Sequence, residues 1–215
     1  AGLGFRYSST YNIELIPDGL LDQEELDRAA SYRSVGVDLG LIYDNRNNAM
    51  STTSGTLAEF RQRFHRKALG SDFDYAVGEL DVRHYWQPFA HRQDIVAIQL
   101  YGYFSYGDTP FIELAALGGD MIMRGYYEGR YRDNQLLAGQ AEYRWHIWDK
   151  LGAVGFLGFG DVADRLNDFS LPDLKPSLGA GLRYALIPEE NLNIRVDFAV
   201  GRATNNFYIN ISEAF

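Results

Sequence analysis

The side chains best suited to acid–base or metal chemistry in this chain are four histidines: His65, His84, His91 and His146. No two stand at a close metal-ligand spacing, so they read as turn residues or polar lining, and no metal is expected. His146 beside Ser170 or Asp149 is the one arrangement that could suggest hydrolysis. No Gly-x-Ser-x-Gly elbow accompanies it, so no catalytic residue is assigned and no enzyme is expected. Cysteine is absent, which removes disulfides and thiolate metal sites, and no cofactor is implied. The formal charge of -9 argues against nucleic acid as a partner. The segment from Asp18 to Arg28 is acidic and helix-compatible. It lacks the spacing of a calcium loop and reads as a solvated connection, with divalent-cation binding near lipopolysaccharide as the alternative.

These residues are carried by a chain built for strands. Aromatics make up 14% of it, with 15 Tyr, 13 Phe, 22 Gly and only 6 Pro, a bias toward strands and tight turns. In Asn191 to Gly201, Leu192, Ile194, Val196, Phe198 and Val200 share one face and Asn193, Arg195 and Asp197 the other. That is the two-residue period of a strand. Ser177 to Ile187 repeats it. So does Gln135 to Trp148, where Leu137, Tyr143 and Trp145 oppose Gln140, Glu142 and Arg144. About ten strands are predicted, over 2–15, 34–43, 55–67, 73–86, 94–106, 135–147, 151–161, 176–187, 191–201 and 205–215. Many are near the roughly ten residues that a tilted strand needs to cross a bilayer.

Long connections (16–33, 107–134, 162–175) alternate with short ones (87–93, 148–150, 188–190). Long outer loops and short inner turns mark outer-membrane barrels. A soluble sandwich would alternate equally well within each strand, so strand length and loop asymmetry decide for the membrane. Arg61, Arg63, Glu79, Asp81, Arg83 and Asp197 lie on polar faces and are expected to line the lumen as a charge network. Phe207, Ile209, Ile211 and Phe215 share the apolar face of the last strand. This resembles the C-terminal recognition signal of bacterial outer-membrane proteins, although Glu213 interrupts the apolar series.

Gly118 to Asp133 contains Met123-Arg124-Gly125-Tyr126. Gln140-Ala141-Glu142-Tyr143-Arg144 follows on a strand, then Gly158-Phe159-Gly160-Asp161, then Ser177-Leu178-Gly179-Ala180-Gly181-Leu182-Arg183-Tyr184. This ordered set resembles the C-terminal barrel region of the BamA superfamily, also called the bacterial surface antigen family. The resemblance is strongest over 94–215, and Asp44-Asn45-Arg46 is similar to that family's Asp-x-Arg turn. It implies that the Arg-Gly-Tyr loop folds into the lumen, where Arg124 meets Glu142 and Asp161, Gly125 allows a sharp turn, and Tyr126 and Phe159 pack beside the cluster. Ala163 departs from the glycine common in the family at that position.

The expected fold is all-β: one antiparallel transmembrane β-barrel over 1–215 with an inward-folded loop. Upstream strands or periplasmic domains are expected before Ala1. A small closed barrel and a homodimer are the alternatives. The resemblance implies a bacterial outer-membrane protein related to those that insert outer-membrane proteins or translocate polypeptides. Lipids, lipopolysaccharide and unfolded client proteins would be its partners. The rival reading is a passive barrel: a pore, a lipid-organising protein or a membrane anchor.

Overall fold

The computed structural model describes residues 1–11, 31–187 and 192–215. The acidic segment 18–28 and the turn 188–190 lie outside them. Ten long strands form one antiparallel sheet: β1 (Gly2–Thr10), β2 (Tyr32–Asp44), β3 (Gly55–His65), β4 (Tyr75–Trp86), β5 (Ile95–Gly107), β8 (Gln135–Trp148), β9 (Leu151–Ala163), β10 (Lys175–Ile187), β11 (Leu192–Gly201) and β12 (Thr204–Ile211). Each pairs with its sequence neighbour among these ten, the order of an up-and-down barrel. The connection after β5 carries two further short strands, β6 (Ala115–Leu117) and β7 (Tyr131–Asp133), which pair with each other. These were not expected from the sequence.

Alternation places apolar residues outward and polar ones inward. Tyr143, Trp145, Leu157, Leu178, Leu182, Phe198 and Phe207 are exposed, while Glu142, Arg144, Arg183, Arg195 and Asp197 are buried. An apolar exterior around a charged interior suits a lipid surround and an enclosed lumen. No helix among the described residues is long and apolar enough to cross a membrane.

The antiparallel order sets connections 66–74, 108–134, 164–174 and 202–203 at one end of the barrel, and 45–54, 87–94 and 149–150 at the other. Ser170 and His146 therefore sit at opposite ends and cannot act together.

The last strand ends at Ile211, short of the expected 215. Ser212 adopts φ 73°, a conformation that breaks the pleat. The chain then turns into the lumen. Phe207, Ile209 and Ile211 remain on the outer face, but Phe215 is only 5% exposed and clusters with Tyr85, Ala97 and Ala214. The shared outer face expected for all four residues therefore holds for three. Glu213, the break in the apolar series, marks where the face changes.

Candidate functional site

The loop between β5 and β8 returns through the lumen on the β6–β7 hairpin, and its tip carries Met123, Arg124, Gly125 and Tyr126. Met123 and Gly125 take φ of 56° and 106°. At Gly125 a side chain would meet the Val200 backbone at 2.8 Å, so only glycine allows both the turn and the approach. These two turns aim Arg124 at the wall while its neighbours face the bed beneath.

Arg124 is 1% exposed. Its Nη2 donates to Glu142 Oε1 and its Nη1 to Asp197 Oδ2 at 2.6 Å. The guanidinium lies 3.6 Å from the ring centre of Phe156. A fork held by two carboxylates over an aromatic face joins charge-assisted bonds to a cation–π contact. Each carboxylate is shared. Glu142 Oε2 accepts from Arg144 Nε at 2.9 Å. Asp197 accepts from Arg183 Nη1 at 2.5 Å and from Arg195 Nη1 at 3.1 Å. Arg195 also donates to Asp120 Oδ2 at 3.1 Å, and Arg183 to Glu213 Oε2 at 2.7 Å. Four arginines (124, 144, 183, 195) thus meet four acids (120, 142, 197, 213). Each of these residues has a partner of opposite charge, although Arg124 Nε, Arg183 Nη2 and Arg195 Nε find none, and pairing is the condition under which buried charge is tolerated.

Two of the expected partners lie elsewhere. Asp161 accepts from Lys175 Nζ and from the Val162 backbone N–H, and Asp197 takes the place it was expected to hold. Phe159 is 51% exposed, and Phe156 supplies the ring instead. Parity explains the second correction: on β9 Val154, Phe156, Gly158 and Gly160 are buried, whereas Leu157 and Phe159 are exposed. Asp161 is buried at the end of the strand, where Lys175 holds it. Asp197 alternates inward with Arg195 and Ala199 on β11.

The remaining loop contacts are polar and directional. Ser177 Oγ donates to Arg124 O. Gly125 N–H donates to Tyr208 Oη at 3.0 Å, and Met123 N–H to Gln140 Oε1 at 3.2 Å. Tyr126 Oη donates to Pro176 O at 2.6 Å and accepts from Arg202 N at 2.8 Å.

Beneath the tip the wall is paved with glycine. A side chain at Gly201 would strike the Tyr126 ring, one at Gly158 would meet Met123 Sδ, one at Gly160 Leu117, and one at Gly179 the Phe156 ring. The periodicity of β9–β11 places these residues inward. Their smallness was the available signal that something large lies against them, and sequence reasoning did not use it.

A second brace closes the opposite end. Arg144 Nη2 donates to Phe215 O at 2.6 Å. Two chains of contacts therefore run from the loop tip to the tail: Arg124–Glu142–Arg144–Phe215 and Arg124–Asp197–Arg183–Glu213.

Elsewhere in the lumen, Arg63 pairs with Glu79 at 3.5 Å, Arg83 with Asp81 at 2.6 Å, and Arg61 with Glu59 at 2.5 Å. Asp197 was expected in this network and belongs instead to the loop clamp. His65 stacks on Tyr75, and His84 Nδ1 bonds with Thr56 Oγ1. Among the described residues no cluster suits a metal ion.

Outside the membrane span, the Arg46 fork grips Asp44 at 2.9 and 2.8 Å, and this hydrogen-bonded pairing raises the guanidinium pKa. The Arg33 backbone N–H donates to Asp72 at 2.7 Å. With the Arg33 side chain, it holds that carboxyl below its ordinary value.

A ten-stranded antiparallel sheet, apolar outside, charged inside and occupied by a returning loop, defines an outer-membrane β-barrel. The Omp85 superfamily domain profile matches residues 3–215, and the chain belongs to that superfamily. Among solved structures, the chain is similar to BamA from Haemophilus ducreyi lacking POTRA domains 1–3, with a TM-score of 0.69 and 15% identity. The match covers 97% of this chain and 49% of that one, so the chain spans about half the length of that structure, and the likeness is one of fold. A comparison with curated protein sequences returns no significant match.

Proposed function

We propose that the chain forms the membrane part of a machine that inserts proteins into the outer membrane or passes polypeptides across it. Membership of the Omp85 superfamily is compatible with this reading. The observation that carries it is the last strand, β12, which is short and polar on its lumen face. Backbone groups left unpaired in a bilayer are costly, so a strand that separates from its neighbour invites another strand. β12 has 8 residues and presents Asn206, Tyr208 and Asn210 to the lumen. A short, polar seam of this kind separates more readily than a long apolar one.

In this mechanism the seam opens, a client strand pairs with an exposed edge, and the clamp around Arg124 keeps the remaining wall in register. Glu142 and Asp197 act as its anchors. Lipid and lipopolysaccharide surround the wall, and a second copy of the chain would be the other natural partner for the edges.

The test is site-specific crosslinking from β1 and β12 to an arrested outer-membrane client in cells. Strand-to-strand adducts at alternating positions support the reading. Ion conductance with no adduct at either edge overturns it in favour of a passive barrel. The loop and tail that occupy the lumen weigh against an open pore.

A further inference from the structure

Glu213, Ala214 and Phe215 fill a built recess. Glu213 Oε2 accepts from Arg183 Nε at 2.7 Å, and Oε1 from Asn193 Nδ2 at 3.0 Å. Its backbone N–H donates to Met50 O at 3.4 Å. Phe215 O accepts from Arg144 Nη2 at 2.6 Å. The Phe215 ring packs with Tyr85 and Ala97, and the Arg144 guanidinium lies 5.7 Å from the ring centres of both Tyr85 and Phe215. Arg144 and Arg183 are each only 5% exposed.

These contacts come from β4, β5 and β8, from β10 and β11 beside β12, and from the turn 45–54, and the segment joins β12 through the turned Ser212. A guanidinium and an amide read the carboxylate. A second guanidinium reads the main-chain oxygen of Phe215, and an aromatic shelf takes the ring two residues on. Convergent donors around an aromatic anchor are how proteins recognise short peptides. A cavity of about 430 Å³ opens beside the recess, lined by Ser51, Gln93, Arg144, Arg183, Asn193 and Glu213. It gives a competing segment a way in.

We propose that this recess is a binding site for a short peptide segment carrying a carboxylate two residues before an aromatic ring, and that Glu213–Phe215 is its resident occupant. The proposal goes beyond the assembly reading and does not rest on it. The recess takes such a segment whether or not the chain moves polypeptides.

The test uses the full chain folded in detergent micelles, with benzoylphenylalanine replacing the exposed Gln93 at the cavity rim. The probe is a fluorescent Ser-Glu-Ala-Phe peptide, offered to the unmodified tail and to an E213Q/F215A tail. Heat-modifiable mobility on a gel confirms folding. The altered tail is expected to raise photolabelling at least about tenfold, because a charge-assisted contact and a buried ring no longer compete. Unlabelled Ser-Glu-Ala-Phe should suppress the signal and Ser-Gln-Ala-Ala should not. Equal labelling of both tails, or equal competition by both peptides, overturns the proposal and leaves the recess as an internal brace. Should the double variant not fold, E213Q alone is expected to raise labelling about threefold, since one charge-assisted partner is weakened, and no rise overturns the proposal. Client crosslinking at β1 and β12 is read separately, so failure here and failure of the assembly reading are distinguishable.

Discussion

Replacing Arg124 with alanine should release the loop tip while leaving the barrel wall folded. The substitution removes the donors to Glu142 and Asp197 and the stack on Phe156. Removing one partner from a buried ion pair costs about 3–5 kcal/mol. Here Arg144, Arg183 and Arg195 still hold the two orphaned carboxylates. That puts the cost at the low end, about 3 kcal/mol, or a loop-docking equilibrium roughly 150-fold weaker. Arg124→Lys keeps the charge but cannot fork or stack as well, and should cost about half as much. Hydrogen exchange is the assay, read at the Met123 and Gly125 amides that donate to Gln140 and Tyr208. Both should lose protection roughly in proportion to the docking constant, while β8–β10 amides keep theirs. Unchanged exchange at Met123 and Gly125 in a folded R124A protein would refute the reasoning. It would mean that the glycine-paved bed and the burial of Met123 and Tyr126 suffice to hold the tip.

Asp197→Asn should loosen the same two amides, whereas Asp161→Asn should leave them unchanged, because Asp161 serves Lys175; equal exchange in the two variants would contradict this assignment of partners. Gly201→Val should displace Tyr126 and destabilise the docked loop by about 1–3 kcal/mol. By contrast, Gly155→Ala meets no atom within 4 Å and should be silent in the same exchange measurement. Asp72 has a folded pKa below its ordinary 3.8. Its contribution to anchoring the 66–74 loop is therefore full above that value and lost as pH falls through the folded value. Titrating loop proteolysis in the native chain and in Asp72→Asn should show two curves that differ at neutral pH and converge in acid. Curves that converge at neutral pH instead would remove Asp72 from the anchor.

The wall was legible because a two-residue period runs through nearly every strand. Leu178 to Leu186 and Leu192 to Val200 could be assigned to one face without any long-range information. The tip of the loop was legible only by its likeness to a family, and that likeness placed Glu142 but not Asp197. The phase of β9 carried the correction of the ring in the sequence itself. Phe159 stands in step with exposed Leu157, and Phe156 stands in step with buried Val154, whereas the pairing of buried Asp161 with Lys175 was not legible from phase. The inward turn of Phe215 depends on a positive φ at Ser212, which no alternation pattern reports. The β6–β7 hairpin was hidden for a different reason. Three-residue strands are too short to show a period, and they are held by the wall around them rather than by their own propensity.

The ladder of the wall and the contacts inside it must form at different times. Each long strand pairs with the next long strand along the chain, so the sheet can zip one hairpin at a time. Arg124 waits for Asp197, 73 residues on, Arg144 for Thr52, 92 residues back, and Asn193 for Ser51, 142 residues back. Such distant closures come late because their loop entropy is lost before any contact repays it. Refolding into micelles should therefore show a fast phase that builds strand signal and a slower one that quiets the aromatic rings of Tyr126 and Phe215. The lumen is furnished only after the walls are standing.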